Sequence, residues 1–105
     1  ARQFITVQLS GSHWNYASRY PEEFAKFKPT QKKNAKVDQA SCTKEELLNS
    51  YDNSILYTDF FLANLIRLLK NKNAFLIFAS DHAESLGEHG RLGHGAEFAP
   101  EQKEI

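Results

Sequence analysis

AFLIFASDHAESLGEHGRLGHG, residues 74–95, joins two kinds of sequence. Its first six residues are continuously apolar, with the length and residue types of a buried strand. Such a strand delivers Asp81 and His82 at its C-terminal end, where open α/β sheets place their chemistry. Glu84, Glu88, His89 and His94 follow among four glycines, which free the backbone to fold tightly and let these side chains converge. Carboxylate oxygen beside imidazole nitrogen is ligand chemistry for zinc, or for another divalent ion with nitrogen and oxygen donors. The stretch reads as a metal site at a strand end.

Upstream, residues 4–9 (FITVQL) form a second β-rich run, followed by the turn-prone Ser10, Gly11, Ser12 and His13. Pro21 opens a short helical turn expected over residues 22–27, with Glu22 and Glu23 in its first turn. Residues 28–41 are polar, lysine-rich and without periodicity, and are expected to form an exposed loop, the most mobile part of the chain. Thr43-Lys44-Glu45-Glu46 is a capping box. The helix it opens runs to about Lys70, roughly 40 Å long, on apolar positions Leu48, Tyr51, Ile55, Leu62, Ile66 and Leu69. Leu47, Phe60, Phe61, Leu65 and Leu68 widen that stripe, so the helix is expected to be covered on much of its circumference. Asn49, Asp52, Asn53 and Asp59 make a narrower polar stripe, read as structural. The order strand, loop, long helix, strand implies a parallel pair with a right-handed crossover. Both strand ends then share one sheet edge, which brings His13 near Asp81 and His82. Two strands and one helix do not close a core, so the chain reads as the C-terminal part of a larger α/β domain.

Composition bounds the function. The 105 residues fit one small domain or a piece of a larger one. A hydrophobic fraction of 41% with 25% charged residues argues against wholesale disorder. Thirteen basic and thirteen acidic residues cancel, so no nucleic-acid partner is expected. The charge is uneven, with six lysines and one aspartate in residues 26–44. That run reads as a solvated loop, with contact to anionic head groups as the lesser alternative. No apolar stretch approaches the roughly 20 residues needed to cross a bilayer, and no signal peptide is visible. The first residue is not methionine and a strand-like run starts almost at once, as expected of a chain cut from a longer one. Cys42 is the single cysteine, which excludes an internal disulfide and a cysteine-based zinc site.

Four motifs, in order and at matching intervals, carry a resemblance. They are Gly11-Ser12-His13, Arg19-Tyr20-Pro21-Glu22-Glu23-Phe24, residues 51–59 (YDNSILYTD) and residues 80–88 (SDHAESLGE). Over about residues 4–102 the chain resembles the phosphoethanolamine transferases of Gram-negative bacteria. That family modifies lipid A and related envelope acceptors, includes transferable polymyxin-resistance enzymes, and belongs to the alkaline phosphatase and sulfatase superfamily. The resemblance implies an α/β, alkaline-phosphatase-like (sulfatase-like) fold, a parallel or mixed sheet with flanking helices, present here as a fragment. Residues 1–105 would be a partial catalytic domain that lacks the N-terminal membrane anchor and the nucleophile segment. It also implies a bacterial inner-membrane protein with its catalytic domain in the periplasm, and Zn2+ as cofactor. Its partners would be a phospholipid donor, lipid A or another envelope acceptor, and the membrane through the anchor. The fragment could also associate with itself through surfaces its missing part should cover.

The same resemblance makes Asp81 and His82 zinc ligands. The family's other two, a glutamate and a nucleophilic threonine, are expected before Ala1, so this chain holds no nucleophile. His13 and His94 match family histidines that line the site and contact the phosphoryl group or a second metal; they are the catalytic candidates. Glu84 matches a glutamate near that second metal, and on local grounds it could equally cap a helix starting after the SDH turn. Glu88 is expected to brace the glycine loop, and His89 to be exposed. Trp14, Tyr51 and Tyr57 read as packing residues. Three departures from the family stand out: Ala83 replaces a glycine, Gln31 takes the place of a disulfide partner for Cys42, and Arg91-Leu92-Gly93-His94 replaces an aromatic-leucine-histidine. The implied chemistry has two displacements. Threonine takes phosphoethanolamine from the donor and the acceptor then removes it, with zinc as Lewis acid and His13 and His94 stabilising charge or moving a proton. The alternatives are another superfamily enzyme (a sulfatase, a phosphoglycerol transferase or a phosphodiesterase) or a non-catalytic remnant of the scaffold. With two of four zinc ligands, the isolated 105 residues are expected to bind metal weakly and not to turn over.

Overall fold

Thr43 starts the one long helix among the described residues, which are 1–36, 41–95 and 100–103 of the computed structural model. Its hydroxyl accepts from the Glu46 amide at 3.1 Å, and the Glu46 carboxylate accepts from the Thr43 amide at 2.7 Å, so the capping box forms as expected. Helix α1 spans Lys44–Leu69, 26 residues or about 39 Å. Glu45 and Glu46 at its start and Arg67 in its last turn complement the helix dipole.

The core lies against the N-terminal half of α1, where Leu47, Ser50, Asn53 and Ser54 are buried. A 3-10 turn at Tyr16–Ser18, capped by Asn15, covers them and encloses Tyr16 completely. Much of what holds this core is polar. Asn53 accepts from the amides of Lys26 and Phe27 at 3.0 and 2.9 Å, and donates to the Phe27 carbonyl at 2.9 Å. Those two amides are thereby lost to helix formation. The preceding 3-10 turn accordingly covers only Glu22–Phe24, not the expected residues 22–27. Asn49 donates to the Pro29 carbonyl at 2.9 Å, and Ser50 accepts from the Gln31 amide at 2.8 Å. The polar stripe is thus structural at Asn49 and Asn53, while Asp52 and Asp59 are exposed.

The lysines of the segment after Phe27 are exposed, Gln31 within it is buried, and the backbone is fastened. Asn15 donates to the carbonyls of Lys32 (2.9 Å) and Ala35 (3.3 Å), Trp14 Nε1 to Ala35 (3.3 Å), and Ser18 to Lys33 (2.9 Å). Carbonyls without a helix or sheet partner have found side-chain donors instead. The free loop expected from the sequence is, over residues 28–36, a tethered one; residues 37–40 lie outside the described residues. Gln31 Nε2 reaches Cys42 Sγ at 3.3 Å, so Gln31 does stand beside the free thiol.

Neither apolar run forms a strand. Residues 4–9 and 74–79 lie outside regular structure, with Phe4 95% and Phe75 99% exposed, and the expected parallel pair is absent from the described residues. A strand needs partners on its edges and a packed layer on its face, and two strands alone are marginal in water. The far half of α1 shows the same lack of cover. Phe60, Ile66 and Leu68 are exposed there, so the helix is not enclosed around its circumference. Among the described residues the sheet consists of two short antiparallel strands, β1 (Ser85–Leu86) and β2 (Leu92–Gly93). One helix and this small sheet are the share of the expected α/β architecture that the described residues display. No helix among them is long and apolar enough to cross a membrane.

Candidate metal centre

The hairpin assembles the site. Ser85 pairs with Gly93 and Leu86 with Leu92, so their outer neighbours Glu84 and His94 face one another at the open end. The closed end needs a tight reversal. Gly87 supplies it at φ 105°, donating to the Arg91 carbonyl at 2.8 Å. Glu88 accepts from the Leu86 amide at 2.6 Å, bracing the loop as expected, and His89 is exposed. From the other side, the Ala83 amide donates to the Gln102 carbonyl at 3.1 Å, and Gln102 Nε2 donates to Ser85 Oγ at 3.1 Å.

Glu84 Oε1 lies 2.7 Å from His94 Nδ1, and the His82 and His94 rings are 3.8 Å apart at their centroids. Ligand atoms of His82, Glu84 and His94 all fall within 4.8 Å of one another. The chain enters β1 directly after Glu84, so this carboxylate caps no helix; its side chain is 6% exposed and turned onto His94. His13 approaches from the Gly11 turn, held by Arg19 Nε donating to its carbonyl at 2.9 Å, and its ring meets that of His94 edge-on at 5.8 Å. It thus comes near His82 by way of His94, without the sheet edge expected to align them. Asp81 remains outside the three-residue group, 90% exposed, with Oδ1 3.7 Å from His82 Nε2.

The hydrogen bonds order the imidazoles. Carbonyl and carboxylate oxygens only accept, so in a neutral ring the Nδ1 facing one carries the proton. This applies to His82 facing the Ala83 carbonyl (2.9 Å) and His94 facing Glu84; His13 Nδ1 meets both the Trp14 carbonyl (2.7 Å) and the donor-only Arg19 Nη2 (3.5 Å), which pull its tautomer in opposite directions. The Nε2 of His82 and that of His94 then each keep a lone pair. Imidazole nitrogens with carboxylate oxygens are a donor set that fits zinc and similar divalent ions, and outer hydrogen bonds of this kind are what fix metal-binding histidines.

Behind Glu84 stands a residue the sequence does not single out. Tyr16 donates its hydroxyl to Glu84 Oε2 at 3.1 Å, and its ring packs edge-on against Trp14 and Tyr51. Burial pushes the Tyr16 phenol far above the ordinary tyrosine range, with the Glu84 charge adding to the effect. The Tyr51 phenol is raised too, by burial first and then by Glu84 and Asp52. Trp14 and Tyr51 pack here, and Tyr57 packs on Phe24 and Phe60, as expected. The only sequence mark on Tyr16 is its position three residues after His13.

The sequence has relatives among known proteins. The chain is 40% identical over 104 residues to the Kdo(2)-lipid A phosphoethanolamine 7''-transferase of Escherichia coli (strain K12), covering 97% of this chain. It is 43% identical to phosphoethanolamine transferase EptA of Helicobacter pylori (strain ATCC 700392 / 26695) and to phosphatidylethanolamine transferase Mcr-1 of Escherichia coli, over 96% and 94% of this chain. It spans 18%, 20% and 19% of the lengths of those three proteins. The sequence profile of the sulfatase family matches residues 1–104, a family whose domain implies an alkaline-phosphatase-like fold. With that profile spanning nearly all of it, the chain belongs to the sulfatase family.

Proposed function

We propose that these residues are part of the catalytic domain of a zinc-dependent phosphoethanolamine transferase. It would move phosphoethanolamine from phosphatidylethanolamine to lipid A or another envelope acceptor. The observation that carries this reading is the convergence of His13, His82, Glu84 and His94, in a chain at least 40% identical to transferases of that name. The protein would sit in the bacterial inner membrane through an anchor elsewhere in the polypeptide, with this domain in the periplasm. The exposed runs at residues 4–9 and 74–79 would be strands of the complete parallel or mixed sheet, covered by the remainder of the domain.

Asp81 and His82 would hold one zinc ion, a role supported by the 3.7 Å between Asp81 Oδ1 and His82 Nε2. Glu84 and His94 would serve a second metal or the substrate phosphate. Bound zinc would supply Lewis acidity for the phosphoryl oxygens and lower the pKa of a coordinated nucleophile. The chain's own contribution is donor placement. His94 Nε2 would keep a lone pair and His13 stands beside that ring; each could take a proton or, once protonated, donate to a phosphoryl oxygen. The nucleophile would be a residue outside these 105.

The test is mass spectrometry of lipid A from an E. coli strain lacking its own such transferases and expressing the full-length polypeptide. A phosphoethanolamine adduct is expected, falling by about 100-fold with His94→Ala, the usual scale for loss of an acid–base group. Sulfate-ester hydrolysis with no lipid A adduct would move the assignment to a sulfatase.

A further inference from the structure

We infer that Tyr16 is a positioning residue that acts on His94 through Glu84, fixing the face that His94 presents to its ligand. This inference rests on reading the cluster as a metal or phosphate site. The geometry is a three-group chain. The Tyr16 hydroxyl donates to Glu84 Oε2 at 3.1 Å, and Glu84 Oε1 faces His94 Nδ1 at 2.7 Å. The carboxylate is therefore held at both oxygens, and the imidazole proton is held on Nδ1. His94 Nε2 is the nitrogen left for a ligand.

Tyr16 suits this task because it cannot drift. It is fully enclosed, its ring is gripped edge-on by Trp14 and Tyr51, and its carbonyl accepts from the Arg19 amide at 2.9 Å. The partners are 68 residues apart in sequence, so the bond joins the Tyr16–Ser18 turn to the hairpin. That turn also begins three residues after His13. One short segment thus places a histidine at the front of the site and a phenol behind its carboxylate. Without the hydroxyl, a carboxylate with a 6% exposed side chain loses a donor and its rotamer, and His94 loses the fixed acceptor that sets its tautomer.

The test uses Tyr16→Phe, which keeps the packed ring, with helicity by circular dichroism as the folding control. In metal-free protein, 15N chemical shifts of the His94 ring should show mainly the Nδ1–H tautomer, and Tyr16→Phe should move them towards a mixture. In the full-length polypeptide, affinity for the second zinc ion, measured by competition with a chromophoric chelator, should fall about tenfold while the zinc held at Asp81 and His82 is unaffected. Glu84→Gln should lower it as well, and Tyr16→Phe/Glu84→Gln should be no weaker than Glu84→Gln alone, because the phenol acts only through that carboxylate. A tautomer shift without any zinc binding by the unsubstituted protein would support the positioning role and defeat the metal reading. Additive losses in the double variant, or unchanged His94 shifts in a folded Tyr16→Phe, would overturn the inference.

Discussion

Glu84 shows how far a residue's meaning depends on what folds against it. In the sequence it is one of several carboxylates in a glycine-rich stretch, and a helix cap is as good a reading as a ligand. In the structure it is buried between a phenol and an imidazole. Asp81, His82, Glu84 and His94 were legible as residue types because ligand chemistry is written in the side chain itself. Tyr16 was not, because its partner lies on another segment and nothing local separates it from the other three tyrosines. Its raised pKa makes a prediction of definite sign. The folded protein keeps a proton that the unfolded chain releases at the ordinary phenol value of 10.0. Stability is therefore unaffected below about pH 10 and falls as pH rises above it. Thermal melts between about pH 9 and pH 11 should show a drop in the unsubstituted chain that is smaller in Tyr16→Phe.

At the scale of elements, α1 was readable from its capping box and apolar spacing, and its bounds agree with that reading to within a residue or so. Thr43→Ala removes the cap and should cost about 1 kcal/mol in denaturant melts. Asn53→Ala should cost more, on the order of 3 kcal/mol, because it leaves the Lys26 and Phe27 amides without their shared acceptor. The hairpin is not legible in the sequence for a plain reason: two residues per strand are too few to show a period of two. Its signal is the glycines, and Gly87 at φ 105° is the one to probe. Gly87→Ala should destabilise by about 1–2 kcal/mol and separate Glu84 from His94, visible as a change in the His94 ring shifts.

For the whole molecule, the two apolar runs are plain in the sequence, but the pairing expected of them is absent among the described residues. Pairing depends on cover that a stretch of sequence does not encode. The described residues bury a small, largely polar core around α1 and leave Phe4, Phe75 and Ile77 exposed. A substitution tests whether these runs are covered in a longer polypeptide, as proposed. Phe75→Glu should change the stability of the 105-residue chain by less than about 0.5 kcal/mol, as at any exposed position. In the full-length polypeptide, where the proposed sheet would enclose residues 74–79, the same change should cost several kcal/mol, roughly the scale for burying an unpaired charge. Equal effects in the two contexts would mean that these runs stay uncovered in both.

In the proposed site His94 meets a second ion or the substrate phosphate through Nε2, with Glu84 holding its ring, and the two are no chance pair at a hairpin mouth. Transfer of phosphoethanolamine to lipid A, measured with the full-length polypeptide and with Glu84→Gln/His94→Ala, tests this most directly. The double variant should keep its helicity and the zinc held at Asp81 and His82, with transfer lower by about 100-fold. Unchanged transfer in a folded double variant would contradict it.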